Sequence, residues 1–132
     1  DDRHREASAR NNLGVALRVA GRVGEAIEAH AEAVRVYQEF EDWYRAGRTL
    51  HSLAIAHEAA QRPADARTCW LQAADAYTRA NAPTEAARAR AQAEALTAAP
   101  TDKPTQASPP ARTTDSAPPA PPPPDAPDTA VP

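Results

Sequence analysis

The chain has 132 residues and a formal net charge of −3, which fits one small domain and argues against a basic nucleic-acid-binding or membrane-binding protein. Its single cysteine, Cys69, excludes an internal disulfide and fits a reducing compartment, so we expect a cytoplasmic protein. No run of about eighteen apolar residues predicts a membrane span. The chain contains no methionine and begins at Asp1, and we therefore expect it to be a fragment, or the trimmed C-terminal end, of a longer protein.

The first two predicted helices form a hairpin. The first runs from about Arg3 to Ala20, with Asp2 as its N-cap and Gly21 as its left-handed stop. Its apolar stripe at helical spacing consists of Ala9, Leu13, Ala16, Leu17 and Ala20. The second runs from about Val23 to Phe40, and its predicted buried stripe consists of Ala26, Ile27, His30, Ala33, Val34, Tyr37 and Phe40. A link of about two residues requires the two helices to pack antiparallel.

A second hairpin and a fifth helix follow. Asp42 caps a third helix from Trp43 to about Ala60, whose inner side carries Ala46, Leu50, Leu53, Ala56 and His57. Pro63 occupies the first position of the fourth helix, where its missing N–H has no cost. That helix directs toward the core Ala66, Trp70, Ala73, Ala74 and Tyr77. The fifth helix, about Pro83 to Ala98, is rich in Ala, Arg, Gln and Glu and is predicted to be a polar closing helix.

The two hairpins repeat with a period of forty residues. Shifting the chain by that period places Leu13 on Leu53, Ala26 on Ala66 and Tyr37 on Tyr77. Matches in one register predict an all-α antiparallel helix-hairpin solenoid. The folded domain spans about residues 1–99, with repeat 1 at about 3–40, repeat 2 at about 43–80 and the closing helix at about 83–98.

Residues 100–132 differ in composition from the rest. This stretch holds twelve of the fourteen prolines, no aromatic residue and only Val131 as a large aliphatic. It cannot bury enough apolar surface to offset chain entropy, so we predict a disordered proline-rich and alanine-rich tail.

The repeated residues resemble the tetratricopeptide repeat. Small and large positions of that family fall on Leu13-Gly14, Leu17, Ala26, His30 and Ala33, and again on Leu53-Ala54, His57, Ala66, Trp70 and Ala73. The departures are Arg10 and Leu50 at the usual tryptophan-like position, no closing proline, and a period of 40 instead of about 34. The longer form is similar to arrays in large bacterial regulators and in kinesin light chains. The resemblance implies a protein–protein interaction module, the sensor or scaffold end of a larger bacterial regulator.

In that family the first helix of each pair lines a concave groove that holds a peptide or a partner helix. Carried over by register, the groove positions are Ser8, Asn11, Asn12, Val15, Arg18, Arg48, His51, Ser52, Ile55, Glu58, Arg88 and Gln92. Asn12, Arg48 and Arg88 lie on the first, third and fifth helices, with the two arginines in register, and they suit an acidic group or a free C-terminus. The alternative is that the arginines are solvated surface residues. No nucleic-acid or membrane partner is expected, and unpaired repeat ends leave oligomerisation open.

The sequence gives no sign of catalysis. The four histidines do not pair at metal-binding spacing, and His30 and His57 are predicted to be packed and hydrogen-bonded in the core. Cys69 is interpreted as a small, half-buried filler and not as a nucleophile, and no glycine-rich phosphate loop exists. We therefore expect no enzyme activity, metal or cofactor. The alternative is the regulatory end of an ATPase or transferase with its catalytic domain upstream. Trp43 and Tyr44 either staple the preceding turn or contact a neighbouring repeat or partner.

Overall fold

The computed structural model describes residues 2–98, and the side chains of residues 2–97. Residue 1 and residues 99–132 lie outside the described part, and so does the predicted tail. The described part consists of five helices whose ends agree with the predicted ends to within about a residue: α1 (Asp2–Val19), α2 (Val23–Glu39), α3 (Trp43–Ala59), α4 (Pro63–Arg79) and α5 (Pro83–Ala98). The predicted all-α hairpin solenoid is confirmed.

Each link between helices is the same tight turn. A residue with positive φ occurs every twenty positions, at Gly21 (φ 86°), Glu41 (55°), Gln61 (61°) and Asn81 (63°). The N–H of the next residue bonds back across the turn, as from Arg22 to the carbonyl of Leu17 at 2.8 Å. This is the Schellman arrangement, which satisfies the last carbonyls of one helix before the next begins.

The helix starts are fixed in different ways. The Asp42 side chain accepts a hydrogen bond from the backbone N–H of Arg45 at 3.2 Å, so its predicted N-cap role is confirmed. Pro63 and Pro83 are the first residues of α4 and α5. Asp2 is not an N-cap, because it is itself the first residue of α1. Its negative carboxylate interacts favourably with the positive end of the helix dipole there.

Consecutive helices share one core made largely of alanine. α1 packs on α2, α2 on α3 and α3 on α4, and α5 buries alanines in the same cluster. Tyr37, Leu50, Leu53, Trp70 and Tyr77 supply the large side chains of that core. Alanines elsewhere allow the helix backbones to approach closely, so that the few large side chains can fill the remaining space.

Two glycines lie against aromatic rings of a neighbouring helix. A Cβ on Gly14 would lie 2.6 Å from the nearest ring atom of His30, and a Cβ on Gly47 would lie 2.8 Å from the ring of Tyr77. Each glycine therefore makes room for an aromatic ring from the second helix of its own hairpin. His30 is fully buried, and its Nδ1 lies 2.9 Å from Oδ1 of Asn11.

Three expectations about the core are wrong. The apolar stripe of α1 is exposed at Ala9, Leu13, Ala16 and Ala20 and only half-buried at Leu17, since no described helix covers that side. Phe40 is exposed because it lies after the last turn of α2. His57 is half-buried, and its Nδ1 has no hydrogen-bond partner among the described residues, so only His30 is the packed, hydrogen-bonded histidine that the sequence predicts.

Within residues 2–98 no helix is both long and apolar enough to cross a membrane. The same residues contain no group of three or more histidine, cysteine or acidic side chains that could hold a metal ion.

Candidate functional site

Two cavities lie between the first helices of successive hairpins. One is lined by residues of α1, α2 and α3, and the other by residues of α3, α4 and α5. They are equivalent places in the repeat, because Tyr37, Arg48 and Thr49 of the first correspond by forty residues to Tyr77, Arg88 and Ala89 of the second. We call the surface that contains both cavities the groove face.

The first cavity is small and polar. It encloses about 90 Å³ and is lined by Ser8, Asn11, Asn12, Tyr37, Arg45, Arg48 and Thr49. Asn11 is held in place by His30, and Arg45 by the carboxylate of Asp42 at 2.9 Å. Asn12 and Arg48 are exposed, so the amide and the guanidinium that form the cavity's outer side are accessible to a ligand.

The second cavity is larger and has aromatic walls. It encloses about 330 Å³ and is lined by His51, Trp70, Tyr77, Glu85, Arg88, Ala89, Ala91 and Gln92. The rings of His51 and Trp70 meet edge-on with centroids 4.8 Å apart. The indole N–H of Trp70 donates to Glu58 at 2.7 Å, so the ring is fixed from both sides. This cavity has the volume and walls to accept a large apolar side chain.

The groove face carries two arginines that are available to a ligand. Among the described residues, neither Arg48 nor Arg88 forms an ion pair. Partial burial lowers the pKa of His51, and the nearby Arg48 lowers it further against an opposing effect of Glu58. His51 is therefore neutral at pH 7 and adds no charge to the face. Burial raises the pKa of Tyr77, so its phenol keeps its proton and can donate a hydrogen bond.

The structure brings six of the nine candidate site residues to the two cavities. Asn11, Asn12 and Arg48 line the first, and His51, Arg88 and Gln92 line the second. The remaining three, Val15, Ser52 and Ile55, line neither. Ile55 is partly buried against the core, and the Ser52 hydroxyl bonds the backbone carbonyl of Arg48 at 3.4 Å.

Of the three further predicted groove positions, one lines a cavity and two do not. Ser8 lines the first cavity. Arg18 and Glu58 line neither, and both serve neighbours on the second helices of their hairpins. The charge of Arg18 lowers the pKa of His30, after the larger effect of burial, and Glu58 accepts a hydrogen bond from Trp70.

The sequence did not identify the cavity walls that come from the second helices. Tyr37, Trp70 and Tyr77 were predicted only as core residues, because their spacing places them on a buried stripe. They are buried and yet expose an edge to the cavities. The sequence signal that could have indicated these walls is the recurrence of tyrosine after forty residues. A phenol ring is larger than the alanine side chains that fill most of this core.

A third cavity of about 440 Å³ lies elsewhere, between α2, α3 and α4. Its lining includes Trp43, Asp75 and the exposed Leu71, and it contains none of the candidate site residues. It provides the main rival surface for binding.

Trp43 and Tyr44, at the start of α3, contact residues of α4 and α5. The guanidinium of Arg79 lies 4.8 Å from the centroid of the Trp43 ring, which fixes the start of α3 against the end of α4. The Tyr44 ring meets that of Tyr77 at 5.7 Å, and its hydroxyl donates to Glu85 at 3.2 Å. Both residues therefore have partners inside the array, and Phe40 contacts His4 and Arg3 instead.

Comparison with known proteins identifies the repeat. A family model described as tetratricopeptide repeat matches residues 5–79. Among solved structures, the chain is similar to BtubC (BKLC) from P. vanneervenii, with 17% sequence identity and a TM-score of 0.34 over 80% of this chain and 51% of that one. The chain thus spans about half the length of that protein. No curated protein matches the chain.

Proposed function

Because the chain belongs to the tetratricopeptide repeat family, whose repeats generally mediate protein–protein interactions, we propose that it binds a peptide or partner protein along the groove face. The observation that carries the proposal is the pair of equivalent cavities, each with one arginine that has no ion pair among the described residues. The family is typically non-catalytic, and a protein that binds a partner without catalysing a reaction agrees with that.

The polar cavity is the proposed site for an acidic group or a free C-terminus. A carboxylate placed there would accept from the Arg48 guanidinium and from the Asn12 amide. Hydrogen bonds to a charged group contribute about 1.5–3 kcal/mol, roughly twice a neutral one. Arg88 offers the same contact one repeat further on.

The aromatic cavity is the proposed site for a large apolar side chain of the same ligand. The two cavities are one repeat apart on the same face, so one extended ligand can reach both. The preferred ligand is an extended peptide that carries an acidic group and a large apolar residue.

The wider setting that we propose for this binding rests on the resemblance to the longer repeat form of large bacterial regulators. The chain would then be the sensor or scaffold part of a larger regulator, with the regulatory end of an ATPase or transferase as the alternative. A phosphate-binding loop encoded upstream would favour the alternative.

The test is a screen of immobilised peptides, each prepared with a free and with an amidated C-terminus, followed by titration of the best binder. Arg48→Ala should weaken binding by about tenfold to a hundredfold, and more at low salt than at high salt. Arg35→Ala is the matched control, because Arg35 is exposed on α2 and lines neither cavity. Arg79 would be a poor control, since it contacts Trp43 and Asp75.

Equal binding by the Arg48→Ala and Arg35→Ala variants would contradict the groove proposal. Loss of binding on Leu71→Glu with no effect of Arg48→Ala would assign the partner to the third cavity instead.

A further inference from the structure

Two hydroxyl groups on the inner side of the polar cavity have no hydrogen-bond partner among the described residues. They belong to Thr49, which is 1% exposed, and Tyr37, which is 2% exposed, and both side chains line the cavity. Other threonines of the array, Thr68, Thr78 and Thr97, donate their hydroxyls to the backbone carbonyl four residues earlier in the same helix. Thr49 does not, so its hydroxyl remains available to a group that enters the cavity.

The polar side chains of this cavity are not required by the repeat. A shift of forty residues places Thr49 on Ala9 in one direction and on Ala89 in the other. Arg45 falls on Glu85, so the equivalent cavity has an acid where this one has a base. A buried hydroxyl without a partner costs free energy that alanine avoids, and an acceptor oxygen bound beside it would remove that cost. The threonine at position 49 therefore indicates a ligand with acceptor oxygens.

The charge and the size of the cavity favour a small anion. Arg45 and Arg48 are the charged residues of its lining, and among the described residues no acidic side chain lines it. Asp42 holds Arg45 at 2.9 Å from outside the lining, whereas Arg48 forms no ion pair with a described residue. The volume of about 90 Å³ is the share of about three water molecules in the liquid. A cavity that binds benzene measures roughly 150 Å³, so this one suits a few oxygen atoms better than an aromatic ring.

The number of acceptor oxygens distinguishes a phosphoryl group from a carboxylate. The two oxygens of a carboxylate can be taken up by the guanidinium of Arg48 alone, in a bidentate pair, which leaves the buried hydroxyls unpaired. A phosphorylated serine or threonine has three strong acceptor oxygens and a charge of about −1.5 to −2. Such a group can accept from Arg48 and from the hydroxyls of Tyr37 and Thr49 at the same time.

We propose that the polar cavity binds the phosphoryl group of a phosphoserine or phosphothreonine in the partner peptide. This inference rests on the proposed peptide binding along the groove face, and it specifies the acidic group of that peptide. The aromatic cavity lacks the corresponding donors, because it has Ala89 and Glu85 in place of Thr49 and Arg45. The phosphoryl group therefore selects one of the two cavities and fixes the position of the peptide on the groove face.

The test uses the full chain and an array of amidated peptides, each prepared with serine, phosphoserine or glutamate at one position. Phosphoserine peptides should bind about tenfold or more tightly than their glutamate counterparts, because further donors engage the third oxygen. Thr49→Val should remove most of that preference and leave the binding of glutamate peptides unchanged. Its melting temperature should stay the same or rise, because an unpaired buried hydroxyl is lost, so that weaker binding cannot be a result of unfolding.

The repeat supplies a matched pair of controls for this test. Tyr37→Phe should lower the binding of phosphoserine peptides, whereas Tyr77→Phe makes the same change in the aromatic cavity and should leave the preference for phosphoserine intact. Thr68→Val should have no effect on the preference, because the Thr68 hydroxyl bonds its own helix at 3.2 Å and does not line the polar cavity.

The outcomes separate this inference from the groove proposal. Equal binding of phosphoserine and glutamate peptides, with both lost on Arg48→Ala, would overturn the phosphoryl assignment and leave the groove proposal standing. Peptide binding that Arg48→Ala does not change would overturn both. Inorganic phosphate is the competitor that distinguishes the source of the group: if it displaces a phosphoserine peptide at a concentration equal to that of the peptide, the cavity is a site for free phosphate and not for a phosphorylated partner.

Discussion

At the scale of single residues, the packing of a hairpin depends on which side chain of its second helix faces a glycine of its first helix. Gly14 faces His30, and the equivalent pair in the second repeat is Ala54 and Trp70. Trp70 contacts His51 and donates to Glu58, and Ala54 is fully buried. This position of the repeat therefore holds glycine where the facing ring is His30 and alanine in the second repeat.

The first prediction concerns this pair. From the sequence alone, Gly14→Ala is predicted to be neutral or slightly stabilising, because alanine has the better helix propensity and the second repeat carries alanine at this position. The structure reverses that expectation, because the added Cβ would lie 2.6 Å from a fully buried ring, so that the ring or a helix would have to shift. We expect Gly14→Ala to lower the free energy of unfolding by about 1–3 kcal/mol through overpacking, measured by urea denaturation.

Gly24→Ala is the control for this effect. Gly24 lies in the first turn of α2 with nothing within 4 Å of the added methyl group, so alanine there should stabilise by about 0.5–1 kcal/mol through helix propensity. In a His30→Ala background the cost of Gly14→Ala should disappear, as a double-mutant cycle would show. A cost that persists without the imidazole would exclude the clash as its cause.

At the scale of the helix and its turn, the links are identical in geometry but not in sequence. Gly21 adopts its positive φ at no steric cost, whereas Glu41, Gln61 and Asn81 hold a Cβ in the same left-handed region. The turns at Glu41 and Gln61 therefore carry strain that the tight link imposes, whereas asparagine adopts this region readily. A left-handed conformation costs an ordinary residue about 1–2 kcal/mol.

The second prediction is that Gln61→Gly stabilises the chain. The Gln61 side chain is exposed and makes no hydrogen bond with any described side chain, so glycine removes strain without removing a contact. After subtracting glycine's greater loss of chain entropy, the net gain should be about 0.5–1 kcal/mol. Thermal melting of the two proteins at equal concentration measures it.

Gly21→Ala is the reciprocal change and should destabilise by a similar amount, because it introduces the same strain at a turn that lacks it. A neutral or lower melting temperature for Gln61→Gly would show that glutamine holds this turn by a contact that glycine cannot replace.

At the scale of the whole molecule, the period of forty residues predicted the helices, their order and their ends. It did not predict which faces are covered, because burial depends on the neighbouring hairpin as well as on the pattern within a helix. Leu13 and Leu53 occupy the same position in the pattern and differ in exposure because, among the described helices, a preceding hairpin covers α3 and none covers α1. The same reasoning explains the site: register placed Arg48 and Arg88 on one face, but only packing shows that Tyr37 and Trp70 reach it.

The stability of the whole array should fall as the pH is lowered from neutral toward 4. Burial lowers the pKa of His30 to about 4, with a further contribution from the charge of Arg18. Burial also lowers the pKa values of His51 and His57. Because the folded pKa lies below the unfolded value of 6.5, the unfolded chain takes up protons first as the pH falls.

The third prediction follows from that sign. The stabilisation is complete above pH 6.5 and is lost progressively down to pH 4, by up to about 1.4 kcal/mol per pH unit for His30 alone. Urea denaturation at pH 7.5, 6.0 and 5.0 should show the decline, and His30→Gln, which keeps a polar group opposite Asn11, should show a shallower one. His51→Gln is the control, since the His51 ring is exposed at its edge and its removal should change the slope less. A stability that stays constant from pH 7.5 to 5.0 would mean that His30 can be protonated in the folded chain, and the imidazole would then have to be accessible to water beside Gly14.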